Sequence, residues 1–587
     1  LQVADDQYKE NAISNAFLRR IIYPARGLIY DRNCRFLVFN QPAYDVMLIP
    51  KDVGKSFDTL ALCQVLNLTK EQLMEKWAEM KDPRRNPGYS SYTPQKLISH
   101  LSPEEYGRLQ EKLYLFPGFF VQKRTIREYN SAAAANILGN IREVNAKDVE
   151  RDDYYRSGDY TGDLGVEKSY ESVLRGRKGV EILMKDALGR IKGKYEGGVH
   201  DEAPESGKNL TLAIDMDLQE YGERLMAGKI GAIVAIEPAT GEVLCLVTSP
   251  NYDPALLVGK NRGRNYAELQ RDPRKPLFDR AIQGAYPPGS TFKPSQGLIF
   301  LQEGIITTST QYPCSRGYVN GLRVGCHAHG SPISLKPALG TSCNAYFCWG
   351  FKNMIDKKGT KATSQFNKWK DYMVQMGYGY PLGLDLPGES RGFIPNSDFY
   401  SNSFRGRNWS ANTIISVSIG QGEVLATPLQ IANLCSTIAN RGYFYTPHVV
   451  KEITGGALDS IYSVRHHPKI KKEYYEDVAE GMRMAVLGGT CRGANLPGIE
   501  VAGKTGTAQN PHGRDHSAFM GFAPYNNPKI AVAVYVENAG FGATYGVPIG
   551  SLIIEKYLNG EISSARKGIE ERMLNSNTIA SSGVKKH

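Results

Sequence analysis

A serine followed three residues later by a lysine stands at Ser290-Thr291-Phe292-Lys293, entered through Tyr286-Pro287-Pro288-Gly289. Farther along come Ser342-Cys343-Asn344 and then Lys504-Thr505-Gly506-Thr507. A serine hydroxyl is a poor nucleophile near neutral pH and needs a base beside it. Residues three apart on a helix lie on one face, one turn apart, so a helix starting near Ser290 brings Lys293 within reach of the hydroxyl. Pro-Pro-Gly gives that helix a sharp entry, Gly297 to Leu301 continue it in apolar sequence, and Pro294 falls in or near its first turn, where proline is tolerated. Lysine becomes a base only by losing its proton, and burial and a nearby positive charge both favour that loss. Lys504 is placed to supply the charge. Ser342 and Asn344 would hydrogen-bond the lysine and relay the proton to a leaving amine. Thr505 and Thr507 offer hydroxyls to a substrate carboxylate. The backbone N–H groups of Ser290 and Thr507 would form an oxyanion hole, and Gly506 would let the substrate backbone lie close to its strand. Together these residues describe acyl transfer through an acyl-serine.

Each motif alone is weak, since S-x-x-K arises by chance roughly once or twice in a chain of this length. Their order is more specific, with Pro-Pro-Gly before the first and Val501-Ala502-Gly503 before the third.

The 587 residues are too many for one ordinary domain. With 41% hydrophobic and 22% charged residues, the chain has a globular composition. No stretch approaches the ~18 consecutive apolar residues of a membrane span. The chain opens at Leu1 in polar, helix-like sequence without a start methionine or signal peptide, and is read as trimmed. A formal net charge of +11 fits a solvated surface or an anionic partner. No zinc-finger, RRM or KH signature supports nucleic acid, whereas anionic lipid or cell-wall polymer fits. Nine cysteines in so long a chain do not make a small disulfide scaffold.

The expected fold class is α+β, in three parts. Residues 1–205 read as a mixed α/β module, with strands around Pro24-Ala25-Arg26-Gly27 and capping boxes at Thr69/Gln72 and Ser102/Glu105. The run from His200 to Gly207 reads as a linker. Residues 206–565 form the second domain. In it, Pro238-Ala239-Thr240-Gly241 turns a hairpin, Leu429 to Ile438 is helical, and Ile530 to Val536 is a strand buried on both faces. Strands at both ends with helices between predict a sheet built from both extremes of the domain. Residues 566–587 read as a loose polar tail.

The three motifs resemble those of the class B, monofunctional high-molecular-weight penicillin-binding proteins. The resemblance extends to Tyr23–Asn33, Gly231–Gly241, Asp385-Leu386-Pro387-Gly388-Glu389, Ser418-Ile419-Gly420-Gln421-Gly422 and Thr427-Pro428-Leu429-Gln430, and so covers most of the chain. Ser-Thr-Phe-Lys-Pro and Ser-Cys-Asn-Ala-Tyr-Phe are most similar to the elongation branch, with the division branch as the sibling alternative. The resemblance implies an elongated pedestal followed by a transpeptidase domain with an antiparallel sheet and helices. It also implies a single N-terminal membrane anchor absent from this chain, and a periplasmic or extracytoplasmic location. Ser290 would attack the penultimate D-alanine carbonyl of a peptidoglycan stem peptide, release D-alanine and pass the acyl group to a neighbouring stem. β-Lactams would acylate it in the same way. Implied partners are stem peptides and lipid-linked precursor polymer, a polytopic glycosyltransferase of the shape/division family, and shape scaffold proteins.

Some relatives are similar in carrying zinc beside the active site, through carboxylates, a histidine and the cysteine within the second motif. Here Cys343 and His329 sit at similar places, and Cys314 and Cys326 would replace the carboxylates. Three cysteines and one histidine make a good tetrahedral zinc set. A Cys314–Cys326 disulfide and unpaired thiols are the alternatives. Catalysis requires no cofactor, so any zinc is structural and pins the loop before Ser342 and Asn344. His327 lies in the same stretch. Cys348, Cys245 and Cys435 read as core residues.

Other classes fit less well. A serine β-lactamase needs a deacylating base, and no Glu-x-x-x-Asn lies between the second and third motifs. A β-lactam sensor should carry several membrane spans and no long pedestal. A pure scaffold has no use for Ser290, Lys293 and Lys504 together.

Overall fold

The computed structural model describes residues 17–54, 57–84, 86, 89–186 and 191–581. The helix-like opening expected from Leu1 lies outside them.

In the second domain the sequence organises one five-stranded antiparallel sheet. Strands β1 (Gly231–Ile236) and β2 (Val243–Ser249) form the hairpin expected around Pro238–Gly241. β3 (Ala502–Ala508), β4 (His516–Ala523) and β5 (Ile530–Val536) come from the far end of the chain. The order is β2-β1-β5-β4-β3, so both chain extremes meet at the β1–β5 pair and β3 is left at the edge. Every residue of β1, β2 and β5 is buried. Successive strand residues point to opposite faces. Ala232, Val234 and Ile236 therefore enter one core, and Ile233 and Ala235 the other.

Helices cover both faces. α1 (Met216–Met226) and the helix Gly546–Asn559 pack on the side of Ile233 and Ala235. On the opposite side lie α2 (Lys293–Gln302), α3 (Asn344–Ile355), α4 (Pro428–Ala439) and α5 (Lys472–Leu487). All twelve residues of α4 are buried, and Thr427 and Gln430 close its first turn as a capping box. No helix among the described residues is long and apolar enough to cross a membrane.

The N-terminal third is a mixed α/β pedestal. Thr69/Gln72 and Ser102/Glu105 form the expected capping boxes of helices Lys70–Lys81 and Pro103–Lys112. These helices pack through Leu73, Met80 and Leu109 on Val46, Leu48 and Phe119 of two long strands, Phe36–Leu48 and Phe119–Tyr129. Arg26, in the turn Pro24–Gly27, donates to Glu167 Oε2 at 2.7 Å and Glu171 Oε2 at 2.5 Å. Arg127 donates to Glu167 Oε1 at 2.6 Å. Glu167 is fully buried and takes both guanidinium groups, Arg26 being shared with Glu171.

The linker and the tail need correction. The run His200–Gly207 is not a free linker, because Glu202 and Glu205 pair as β-bridges with Val180 and Arg177. One sheet takes strands from both sides of the 205/206 boundary. Leu210–Leu212 lies between Ile29–Tyr30 of the pedestal and Val450–Ile453 of the second domain. Tyr170 adds to this junction by donating to Asp385 Oδ2 at 2.8 Å, while Asp385 accepts from the amides of Val449 and Val450. The tail is not loose over 566–581 either. Helix Lys567–Asn575 buries Met573, and buried Lys229 donates to the carbonyls of Met573 and Ser576 at 2.6 and 3.0 Å. Lysine satisfies open carbonyls at a helix C-terminus well, and composition alone does not reveal that partner.

Candidate active site

Ser290 lies in a single 3-10 turn, Gly289–Phe292, that runs directly into α2. Lys293 opens the α-helix and Pro294 sits in its first turn. Ser290 therefore lies near the helix start, in the turn just ahead of the first α-helical residue. Lys293 is completely buried. Its Nζ donates to Asn344 Oδ1 at 2.6 Å, to Ser342 O at 2.7 Å and to Ser342 Oγ at 3.1 Å. From β3, Lys504 Nζ donates to the same Ser342 Oγ at 2.8 Å and to Thr505 O at 3.1 Å. One hydroxyl thus sits between two ammonium groups. Ser342 reaches this position in the left-handed region, at a φ of 58°, a conformation that costs a non-glycine residue about 1–3 kcal/mol.

Burial sets the protonation of the pair. Desolvation lowers Lys293 to about 8. Desolvation first, and then the charge of Lys293, lower Lys504 to about 7. Two ammonium groups on one hydroxyl disfavour each other, so the pair gives up a proton near neutrality. Ser342 Oγ accepts from both, so one hydroxyl bridges the two lysines. While Lys293 is protonated its three donors are used on Ser342 and Asn344. Among the described residues, Ser290 Oγ has no hydrogen-bond partner. A neutral Lys293 gains the lone pair a general base needs.

The third motif stands against the nucleophile turn. Gly506 does something other than expected. A Cβ there would lie 2.9 Å from Thr291 Cγ2 and from Ala518 Cβ, and 3.1 Å from the Pro288 carbonyl. The bare backbone therefore admits the turn carrying Ser290. Gly289 makes the reciprocal approach at a φ of 55°, where a Cβ would fall 2.7 Å from Thr507 O. Behind the turn, Tyr535 Oη donates to Pro287 O at 3.1 Å, and Tyr286 Oη to Glu537 at 2.8 Å. Thr505 Oγ1 donates to Thr490 Oγ1 at 2.9 Å, and Thr507 Oγ1 accepts from Gly542 N at 3.3 Å. Thr490 and Tyr535 belong to no motif, and no sequence signal singles them out. Gln421, from Ser418–Gly422, donates to Thr507 O at 3.2 Å. The sequence placed that segment by resemblance and gave it no role.

Cys314, Cys326, His329 and Cys343 converge, with their Sγ and imidazole nitrogen atoms all within 4.8 Å of one another. Cys326 Sγ and His329 Nε2 are 3.2 Å apart. Nδ1 of the same ring is 2.8 Å from Gly330 O, which favours a proton on Nδ1 and leaves Nε2 as the acceptor. The Cys343 thiol foremost, and then His329 and the Asn344 amide, pull the Cys326 thiol well below its ordinary value. No disulfide forms among the described residues; Cys314 and Cys326 are both free thiols. His327 stays outside the cluster, its ring packed edge-on to Phe541 at 6.4 Å. Asn344 N donates to Cys326 Sγ at 3.2 Å and Asn344 Nδ2 to Gly325 O at 2.7 Å. The cluster loop therefore sets which way the Asn344 carbonyl faces Lys293. Cys245, Cys348 and Cys435 are buried, as read from their apolar runs.

A serine at a turn into a helix, a buried lysine pair across one hydroxyl and an edge strand closing the cleft define a class of serine acyl-transferases. The comparisons with known proteins agree with that geometry. Residues 231–555 match the family model of the penicillin binding protein transpeptidase domain, and residues 21–212 that of the penicillin-binding protein dimerisation domain. The chain belongs to the penicillin-binding proteins, and within them to the class B, PBP2-type branch. It is 33% identical to the peptidoglycan D,D-transpeptidase MrdA of Acinetobacter baumannii, over 92% of this chain and 81% of that one. It is 32% identical to MrdA of Escherichia coli K12, over 89% and 85%. Among solved structures it resembles PBP2 of Helicobacter pylori in complex with MreC, with a TM-score of 0.79 and 26% identity over 93% of this chain and 100% of that one. It also resembles Pseudomonas aeruginosa PBP2 in complex with WCK 5153, with a TM-score of 0.68 and 27% identity over 93% and 99%.

Proposed function

We propose that this chain is a peptidoglycan D,D-transpeptidase of cell-wall elongation that works through an acyl-enzyme on Ser290. The shared Ser342 hydroxyl between Lys293 and Lys504 is the observation that carries this reading. Neutral Lys293 takes the Ser290 proton as Oγ attacks the penultimate D-alanine carbonyl. The Ser290 and Thr507 amides receive the oxyanion, and Thr505 and Thr507 receive the terminal carboxylate. The proton returns through Ser342 to the nitrogen of the departing D-alanine. An amine of a neighbouring stem then attacks the ester, gives up its proton by the reverse path and restores Ser290. Water in place of the amine would make the same site a carboxypeptidase. Likeness to PBP2 and MrdA supports the elongation role over the division role.

The same reading puts the catalytic domain on the extracytoplasmic face of a membrane. A polytopic glycosyltransferase would act beside it, and a scaffold protein of the MreC kind would grip the pedestal.

The test is incubation with a fluorescent penicillin followed by intact-mass analysis. Wild type should carry one long-lived adduct per chain and Ser290→Ala none. An adduct that survives Ser290→Ala would refute the assignment of the nucleophile.

The Cys/His cluster fits a structural zinc. Ligand atoms within 4.8 Å of one another accommodate tetrahedral Zn–S bonds of about 2.3 Å, and a Cys₃His set suits that metal. Cys314, Cys326, His329 and Cys343 would hold it, and it would contribute rigidity rather than chemistry. Elemental analysis of purified protein should find about one zinc per chain. Stripping it with a mercurial thiol reagent should slow penicillin acylation about a hundredfold, the scale of a misplaced catalytic group. Full acylation by zinc-free protein would rule out the proposed role.

A further inference from the structure

β3 is the outermost strand of its sheet, and the side away from β4 carries a row of backbone groups. On that side Thr505 O accepts from Lys504 Nζ and Thr507 O from Gln421 Nε2. An unpaired edge is a template for an extended peptide. In an antiparallel pair, two opposed residues exchange both of their N–H···O bonds. An acyl donor whose scissile carbonyl sits on Thr507 N–H therefore presents the N–H of the same residue to Thr507 O. That carbonyl already holds one donor, the Gln421 carboxamide. A carbonyl oxygen has two lone pairs, so both donors can be accommodated.

Gln421 is held firmly for this task. Gly289 N donates to Gly420 O at 2.8 Å, joining its loop to the nucleophile turn, and Gln421 N donates to Ser416 O at 3.0 Å. The loop is thus fixed at once to the turn carrying Ser290 and to the edge strand that receives the donor. We infer that Gln421 is a specificity-determining, substrate-positioning residue. It aims Thr507 O at acyl donors that carry an amide N–H on the carbon next to the scissile carbonyl. This rests on the acyl-transferase reading above. A penultimate D-alanyl residue carries such an N–H, and so does a penicillin with its acylamino side chain. A carbapenem, with a hydroxyethyl group at that carbon, does not.

The experiment compares second-order acylation of the whole protein by benzylpenicillin and by a carbapenem, for wild type, Gln421→Leu and Gln421→Glu. Gln421→Leu should slow benzylpenicillin about tenfold, the worth of one hydrogen bond in such a site, while changing the carbapenem less than about twofold. Gln421→Glu, which keeps the shape but turns a donor toward a carbonyl into an acceptor, should slow benzylpenicillin further. Equal loss with both compounds would show that Gln421 only props the loop, and no loss with either would show that it is idle. Each of these overturns the inference. Wild type inert to both compounds would overturn the acyl-transferase reading itself.

Discussion

Lys293→Met is expected to slow acylation of Ser290 by about three orders of magnitude, within the range by which a positioned general base accelerates proton transfer. Methionine fills much of the same volume, so the fold should survive, and circular dichroism will verify that. The wild-type rate should also depend on pH in one direction. Lys293 must be neutral to take the proton, and burial holds it at about 8, with Lys504 at about 7. Below pH 7 both lysines are charged and the rate falls with each added proton; it rises through this window and levels off above it. Stopped-flow acylation between pH 5 and 10 measures the profile. A flat profile, or a Lys293→Met variant as fast as wild type, would remove Lys293 from the role of base.

The second large effect lies far from the cleft. Glu167→Ala leaves the buried Arg127 without its carboxylate and Arg26 with Glu171 alone. Removing one partner of a buried ion cluster costs about 3–5 kcal/mol. Thermal unfolding of the variant should begin well below that of wild type. Burial alone would raise the Glu167 pKa, but Arg127 and Arg26 outweigh it and the carboxyl is held below its usual range. Its contribution is complete above the ordinary carboxylate pKa and is lost as pH falls through the lower folded value. The difference between variant and wild type should therefore shrink in acid. An unchanged onset of unfolding would count against the cluster as a source of stability.

Much of the site could be read from residue types because its chemistry is local. Ser290 and Lys293 are one turn apart, and the ordered motifs announce their partners. What could not be read are the contacts made by residues distant in sequence. Thr490 meets Thr505 because α5 ends beside β3, and Tyr535 reaches Pro287 across the sheet. The capping boxes and the hairpin at Pro238–Gly241 were legible for the same reason that the catalytic turn was. The free linker at His200–Gly207 and the loose tail were misread because strand pairing and the Lys229 clamp are long-range. Gly506 shows the same limit at a single residue, since its missing side chain faces a turn more than two hundred positions earlier.

The shared sheet at the domain junction bears on how the protein can be cut. Leu210–Leu212 is bracketed by Ile29–Tyr30 and Val450–Ile453. A fragment starting near residue 206 would lose the pedestal strand from one flank and expose a bare row of peptide groups there. Such an open flank invites pairing with other copies and hence aggregation. A soluble catalytic fragment would have to carry the strands around Ile29–Tyr30 and Phe36–Leu48 with it, grafted through a loop, or have that flank blocked with proline or lysine.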